Sequence, residues 1–361
     1  MNHHFELPGT YKKWTLGLLV VGLAALLWGF IMYHPFEHAG HGENINSTRF
    51  WAVLLQNSVY WLLVVNTSMF FICITTMAHG GWQVSLRRIP EAISSLVPIL
   101  GLITLVILIA LIFGNRTDIY HWLDKEAVNN DKILYGKKGF LSPGFFLIFS
   151  VISIGLWALI GKKMRSMSLQ TDKEGHMDYE TGKKWIWKNT VWASLFTIVF
   201  TLTVASTIPW LWLMSIDAHW YSTMYSWYTF ASTFVSGLSL IAIFVIYLKN
   251  QGQLEYVNDE HLHDLGKFMF AFSIFWAYLW FSQYMLIWYS NQPEETRYFI
   301  DRIGTAEKGG PYRGLFFLNL ILNFLLPLLL MMKKSPKRNW TSMMFMSILS
   351  VFGHWIDFYQ M

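Results

Sequence analysis

The chain has 361 residues, of which 54% are hydrophobic and only 14% charged, and its formal net charge is +5. An ordinary soluble domain carries about 25% charged residues, so this composition argues against a soluble protein. The Lys and Arg residues stand in short runs between apolar segments, a pattern typical of membrane topology rather than of nucleic-acid binding. With one cysteine, Cys73, the chain can build neither a disulfide framework nor a thiolate metal site.

Nine apolar segments follow one another along the chain, each about as long as a membrane-spanning helix of roughly 20 residues. In chain order they cover residues 14–33, 50–78, 89–114, 141–161, 186–214, 221–249, 264–291, 314–332 and 339–359. Trp and Tyr are frequent at their ends, where such rings favour the headgroup interface. The pattern predicts an all-α, polytopic membrane protein whose first segment is a retained helix rather than a signal peptide.

The distribution of Lys and Arg predicts the orientation of these spans. If the N-terminus is cytoplasmic, the segments on the inner side carry 17 Lys and Arg residues and those on the outer side carry 10. Because positively charged loops are retained in the cytoplasm, this excess favours a cytoplasmic N-terminus.

No motif for a redox cofactor occurs in the chain. The sequence has no Cys-x-x-Cys-His for covalent haem, no cysteine set for an iron–sulfur cluster, and no phosphate-binding glycine motif. Only His354 lies well inside an apolar segment, so paired histidine ligands for haem b are not expected. His34, His38 and His41 have a spacing that could hold a metal, but a solvated His-rich loop is the favoured interpretation.

Four polar residues are predicted near the outer ends of two spans. Asp217 and His219 follow the fifth span, and His354 and Asp357 lie three residues apart in the ninth, so the second pair shares one helix face. A carboxylate beside an imidazole is suited to accept and release protons. The alternative is structural: Asp217 and His219 would cap a turn, and His354 and Asp357 would be a satisfied interfacial pair.

A second set, His261, His263, Asp264 and Lys267, begins the seventh span on the predicted inner side. Asp264 and Lys267 have ion-pair spacing on a helix, and Asp264 suits the positive end of the helix dipole. This set is either a solvated helix start or the inner mouth of a proton path. Glu91 and Lys267 are the ionisable residues nearest the membrane on the inner side, in the third and seventh spans. Each is either a functional residue or a residue near the end of a span that extends to water.

Deeper along the seventh span comes a series of hydroxyl and amide side chains: Ser273, Tyr278, Ser282 and Gln283. Neighbouring segments add further polar groups of the same kind: Ser232, Ser236, Asn319 and Asn323. Polar groups in hydrocarbon need partners, so we expect all of these side chains to face other helices. They predict either interhelical hydrogen bonds or a proton wire.

Residues 209–292 contain several distinctive stretches. These are 210–223 (WLWLMSIDAHWYST), 227–228 (WY), 263–270 (HDLGKFMF) and 276–289 (WAYLWFSQYMLIWY), with 121–124 (HWLD), 131–132 (DK) and 353–357 (GHWID) outside that region. The pattern resembles quinone-binding subunit 2 of quinol:cytochrome c oxidoreductase, the F-type membrane subunit of bacterial alternative complex III. That family is related to polysulfide-reductase (NrfD-type) membrane subunits. The resemblance covers most of the chain and is weakest before about residue 90.

The resemblance implies two four-helix bundles flanked by one helix at each end, ten spans in total, in a bacterial inner membrane. On this plan residues 1–49 form the first helix and an outer loop, 50–214 the first bundle, and 215–361 a second bundle whose final helix is missing. It also implies partners: a multihaem cytochrome c, an iron–sulfur subunit and a paralogous NrfD-type subunit that holds the main quinol site. Haem c and iron–sulfur clusters would then belong to partners, leaving quinol or quinone as the cofactor to consider here.

Three functions remain open at this point. The first is a scaffolding subunit of a quinol-oxidising complex, without its own redox centre, that conducts protons. The second is an independent secondary transporter, for which Pro209 and Pro327 would mark broken helices. The third is a purely structural membrane anchor. Copurification with haem-containing partners separates the transporter from the other two.

Overall fold

The computed structural model describes residues 8–36, 45–175, 177–305 and 308–361. Apart from an isolated bridge between Gly304 and Gly309, the regular secondary structure of these residues is helical, which confirms the all-α prediction. The α-helices are α1 (Gly9–Tyr33), α2 (Ile45–Met77), α3 (Arg88–Ser94), α4 (Val97–Phe113), α5 (Lys125–Asn130), α6 (Lys132–Lys137), α7 (Pro143–Glu174), α8 (Tyr179–Leu202), α9 (Ile208–Trp212), α10 (Met224–Asn250), α11 (Asp259–Ser290), α12 (Pro293–Ile303), α13 (Arg313–Leu320), α14 (Leu326–Met331), α15 (Lys334–Arg338) and α16 (Trp340–Gln360).

Within the described ranges, eight helical segments are long and apolar enough to cross a membrane. They are Gly9–Tyr33, Ile45–Met77, Arg88–Phe113, Pro143–Glu174, Tyr179–Trp212, Met224–Asn250, Asp259–Ser290 and Arg313–Met331. The ninth predicted span forms α16, a helix of 21 residues that is not among these eight. This helix is more polar than the eight segments because it carries Ser347, Ser350, His354 and Asp357, which are all buried. Protein neighbours rather than lipid therefore surround the polar face of this helix.

Two spans contain a wide, π-helical turn just before a proline. The turn Thr203–Thr207 precedes Pro209 in α9, and the turn Ile321–Leu325 precedes Pro327 in α14. A proline ring clashes with the carbonyl four residues earlier, and that residue lies inside the wide turn in both spans. The wide turn thus accommodates each ring without ending the span. Pro98 instead stands in the first turn of α4, where proline is tolerated.

The chain divides into two compact units, Met1–Leu55 and Gln56–Met361. In the first unit, α1 packs on the start of α2 at Gly29, where an added Cβ would lie 3.2 Å from the Phe50 ring. The indole of Trp51 donates a hydrogen bond to the Pro35 carbonyl at 3.0 Å, which ties the residues just after α1 to the start of α2. Most of α1 is exposed, as expected for a helix that is apolar all round and faces lipid.

The second unit is built around α10, which is buried along most of its length and packs on α11 and α16. Its core includes Tyr228, Ala231 and Trp276. At Gly237 it approaches α2 so closely that an added Cβ would overlap the Thr67 hydroxyl. Small residues permit such approaches between membrane helices, where packing rather than the hydrophobic effect drives association.

The connections of the second unit gather at two opposite ends. At one end, which we call the α12 end, Trp220 stacks on Tyr298 with ring centroids 4.5 Å apart, and Arg302 donates to the Gln360 carbonyl. At the other end, which we call the α15 end, Arg338 pairs with Glu260 at 2.7 Å. This grouping of loops is expected when successive spans run in opposite directions.

Candidate functional site

A fully buried carboxylate, Asp357 on α16, is the centre of a cluster of polar side chains in the second unit. Its Oδ1 accepts hydrogen bonds from the Tyr228 hydroxyl and, at 2.6 Å, from Asn319 Nδ2. Its Oδ2 accepts one from Trp276 Nε1 at 2.8 Å. A carboxylate can be buried only where donors or opposite charges replace its water. The donors come from α10, α11 and α13, so four helices meet at this side chain.

His354 lies one helical turn before Asp357 and is also fully buried. Its Nδ1 is 3.1 Å from Ser232 Oγ and 3.8 Å from Asp357 Oδ2, so both residues of the predicted pair face the same cluster. Its ring meets Trp276 edge to face, with centroids 5.5 Å apart. Among the described residues, His354 Nε2 has no hydrogen-bond partner. The imidazole and the carboxylate therefore lie in one cluster, at a separation longer than a direct hydrogen bond.

Two asparagines hold the cluster from the α13 side. Asn323, in the wide turn before Pro327, donates to Asn319 Oδ1, and Asn319 Nδ2 also lies 3.3 Å from Gln360 Oε1. Gly353 leaves room for this arrangement, because a Cβ there would overlap Asn323 Oδ1. The wide turn that contains Asn323 and the small Gly353 of α16 thus allow the Asn319 amide to donate to the Asp357 carboxylate.

A narrow cleft opens from the cluster towards the α12 end. Its lining residues are Tyr228, Trp280, Gln283, Tyr298, Phe299, Arg302, Phe316 and Gln360. At its outer end Arg302 donates to three backbone carbonyls, those of Tyr298, Gln360 and Met361, and stacks on the Tyr298 ring at 3.5 Å. Burial raises the pKa of Tyr298, although the Arg302 charge opposes that shift.

The other predicted outer pair, Asp217 and His219, lies apart from this cluster. Both are exposed, and His219 Nε2 is 2.6 Å from Asp131 Oδ2 in the connection between α5 and α6. The hydrogen bond with His219, supported by the backbone N–H groups of α6, lowers the pKa of Asp131. No hydrogen bond or ion pair of the described residues joins Asp217 or His219 to Asp357. The structure therefore brings together only the second predicted pair.

The inner set lies at the α15 end, at the start of α11. His261 and Asn258 form a reciprocal cap of the helix, and Lys267 pairs with Asp264 at 2.6 Å. His263 is nearly buried, 3.9 Å from Glu260. These contacts cap the helix and pair its charged residues.

The prediction that Tyr278 faces the helix interior is wrong, because 61% of its surface is exposed. It shares one face of α11 with Ile274 and Phe281, which are also exposed, whereas Ser282 and Gln283 lie on the buried side. The neighbouring polar residues of the prediction, Ser232, Ser236, Asn319 and Asn323, are all buried.

Of the two alternatives for Glu91, extension to water does not hold, since the residue is only 1% exposed. Its carboxylate pairs with Arg87 at 2.9 Å and with Arg88 at 2.6 Å. Arg87 also donates to Asn189, at 3.2 Å, on α8. Two guanidinium groups replace the missing hydration, so this ion cluster joins α3 to its neighbours instead of facing solvent.

The sequence prediction did not assign Tyr228, Trp276, Gln360 or Arg302 to a site. Aromatic rings in apolar segments usually pack, and no local pattern reveals that the Tyr228 hydroxyl meets a carboxylate 129 residues away. For the predicted His-rich loop, His34 ends α1, while His38 and His41 lie outside the described residues. No group of three metal-ligating side chains occurs in the part of the chain that the structure describes.

Comparison with known proteins gives no family assignment. No protein-family model matches the chain, and no curated protein matches it by sequence. The class that the fold defines is that of an all-α, multi-pass membrane protein.

Proposed function

We propose that this chain is an integral membrane subunit of a quinol-oxidising electron-transfer complex of the alternative complex III type. In this role it exchanges protons at Asp357, while electrons pass through haem and iron–sulfur partners. The buried carboxylate is the observation that carries the proposal. Oxidation of quinol releases protons together with electrons, so such a complex needs a titratable group inside the membrane domain.

The chemistry of the cluster supports this proposal. Ionisable residues within membrane helices cost about 2.5–3.5 kcal/mol on insertion scales, so they are retained where they have a function. The Tyr228 hydroxyl bonds directly to Asp357, and a second titratable group, His354, lies 3.8 Å from the carboxylate. A proton can therefore enter and leave the carboxylate without a large movement of the helices.

The resemblance of residues 209–292 and 353–357 to the alternative complex III subunit supports the assignment to a complex. Residues 353–357 contain His354 and Asp357 themselves.

The test is purification of the tagged chain from its native membranes in mild detergent. We expect haem-containing subunits to copurify and the preparation to reduce cytochrome c with quinol. Asp357→Asn removes the titratable proton with little change of shape, and should lower turnover by about 100-fold or more, the usual contribution of a general acid or base. The matched control is Asp301→Asn, a largely exposed carboxylate that pairs with Arg297 at 3.6 Å, which should keep its turnover.

Two results would contradict this proposal. Isolation of the chain without haem partners would show that it does not belong to such a complex. Full turnover of Asp357→Asn in an assembled complex would show that the chain acts only as a structural anchor. The two outcomes are distinguishable because assembly and turnover are measured on the same preparation.

A second candidate, an independent secondary transporter, is favoured by one observation. The wide turns before Pro209 and Pro327 interrupt two separate spans, and interrupted helices often line transport sites. Under this alternative the purified chain alone would take up a solute in proteoliposomes, and no haem partner would be needed.

A further inference from the structure

We propose that the cleft lined by Tyr228, Gln283, Arg302 and Gln360 binds water and connects Asp357 to the aqueous phase at the α12 end. This inference rests on the proposed function for the use of the proton, but the water path itself is a separate property of the fold. It identifies the route by which the buried carboxylate reaches solvent.

The position of the cleft supports the route. At its inner end Tyr228 lines the cleft and donates to Asp357 Oδ1. At its outer end are Tyr298 and Arg302 of α12, an 11-residue helix that is not one of the membrane-crossing segments. The cleft thus links the carboxylate to a helix outside the spans.

Its polar lining supports water rather than lipid as the occupant. The Gln360 side-chain amide is 91% buried, and its Nε2 has no hydrogen-bond partner among the described residues. A buried donor without an acceptor costs about 1–3 kcal/mol, and a water molecule removes this cost. Gln283, which is only 4% exposed, offers a second amide to the same space.

The size of the cleft supports the same occupant. The enclosed space at its centre holds roughly one water molecule, and aromatic rings form its walls. The ring centroids of Trp280 and Phe316 lie 4.8 Å apart, and the Phe299 ring meets the Phe316 ring edge to face with centroids 6.2 Å apart. An acyl chain or a quinone ring does not fit such a space, whereas a single water molecule does.

The proton transfer along this route moves one proton from Asp357 to water and returns Tyr228 to its neutral form. When Asp357 is protonated, its proton passes to the Tyr228 oxygen while the Tyr228 hydroxyl proton passes to the water in the cleft. The carboxylate is then ionised, the tyrosine is neutral as before, and the water carries the proton towards Arg302 and the α12 end. The reverse sequence reloads the carboxylate.

The experiment uses silver ion, which reacts with thiols from water and is small enough for a narrow path. Cys73 is fully buried in α2 and is replaced by alanine to give a background without thiols. Gln283→Cys places a thiol in the cleft, and the control Phe281→Cys places one on the exposed face of the same helix, 55% exposed. Each variant is treated in intact membranes, and the remaining thiol is then measured by maleimide labelling after unfolding in detergent.

We expect Gln283→Cys to react at least about tenfold faster than Phe281→Cys, because a thiol surrounded by lipid does not ionise. Equal rates, or a slower rate at position 283, would overturn the water path. If Gln283→Cys does not yield monodisperse protein, Gln360→Cys, at a buried residue that lines the same cleft, serves as the second variant with the same expected order. Because the labelling needs no electron transfer and no partner, its failure is distinguishable from failure of the proposed function.

Discussion

Replacing Asp357 by alanine removes the acceptor on which three buried donors converge. Tyr228, Trp276 and Asn319 would each lose a hydrogen bond inside the protein. Because all three side chains are at least nine-tenths buried, water from the bulk cannot replace the carboxylate without a rearrangement of α16. We therefore expect a large loss of stability from a single substitution.

The magnitude follows from the number of donors. Interhelical hydrogen bonds in membrane proteins average about 0.6 kcal/mol, which gives a lower bound of roughly 2 kcal/mol for three bonds. If the donors stay buried without partners, each costs about 1–3 kcal/mol, and the loss is correspondingly larger. The lower bound alone raises the population of the opened state about 30-fold, since about 1.4 kcal/mol corresponds to a factor of ten.

The single cysteine provides the assay. Cys73 is fully buried, so a thiol-reactive dye reports the opening of the helix bundle without any added label. The rate of Cys73 labelling in detergent is compared for the wild type, Asp357→Ala and the control Phe352→Ala, which truncates an exposed side chain of the same helix. Asp357→Asn keeps one acceptor oxygen and should fall between the wild type and alanine.

A labelling rate for Asp357→Ala within a factor of three of the control would refute this reasoning. Such a result would mean that the three donors find other acceptors, and that the carboxylate does not hold the four helices together.

Three further changes test other parts of the fold. Glu91→Ala leaves the buried Arg87 without its counter-charge and should destabilise the protein by about 3–5 kcal/mol, measured by the same Cys labelling. Gly237→Ala should cost about 1–3 kcal/mol through overlap with Thr67, and the added change Thr67→Ala should recover part of that loss. The lowered pKa of Asp131 contributes stability that is complete above the carboxyl's unfolded pKa and is lost as pH falls through the lower folded value. Acid unfolding below about pH 4 should therefore be weaker in the Asp131→Asn variant, as followed by circular dichroism.

Much of the fold could be predicted because hydrocarbon imposes strict requirements on a chain. A span needs about 20 apolar residues and must satisfy its own backbone hydrogen bonds, so residue type and length together reveal it. The observed helices extend past the apolar part, as α7 does from the predicted 141–161 to Pro143–Glu174, because charged residues continue the helix into water. The pair His354 and Asp357 stood out for the same reason, as ionisable residues inside an apolar segment.

The composition of the site around that pair could not be predicted. Asp217 and His219 are a similar pair of residue types, yet in the structure His219 forms its hydrogen bond with Asp131 instead. Tyr228 and Trp276 donate to Asp357 from helices distant in sequence, and nothing local indicates which polar groups meet. These contacts depend on how α10, α11, α13 and α16 pack.

The sequence alone determined that the chain is helical, apolar enough to span a membrane, and polar at only a few positions within its segments. Only the tertiary structure decided which side of each helix meets protein, as the exposed Tyr278 and the buried Glu91 show. The physical reason is that lipid and protein interior are similarly apolar, so the hydrophobic pattern of a span carries little information about its orientation. Partners for the polar groups, and hence the carboxylate cluster, exist only once the helices have packed.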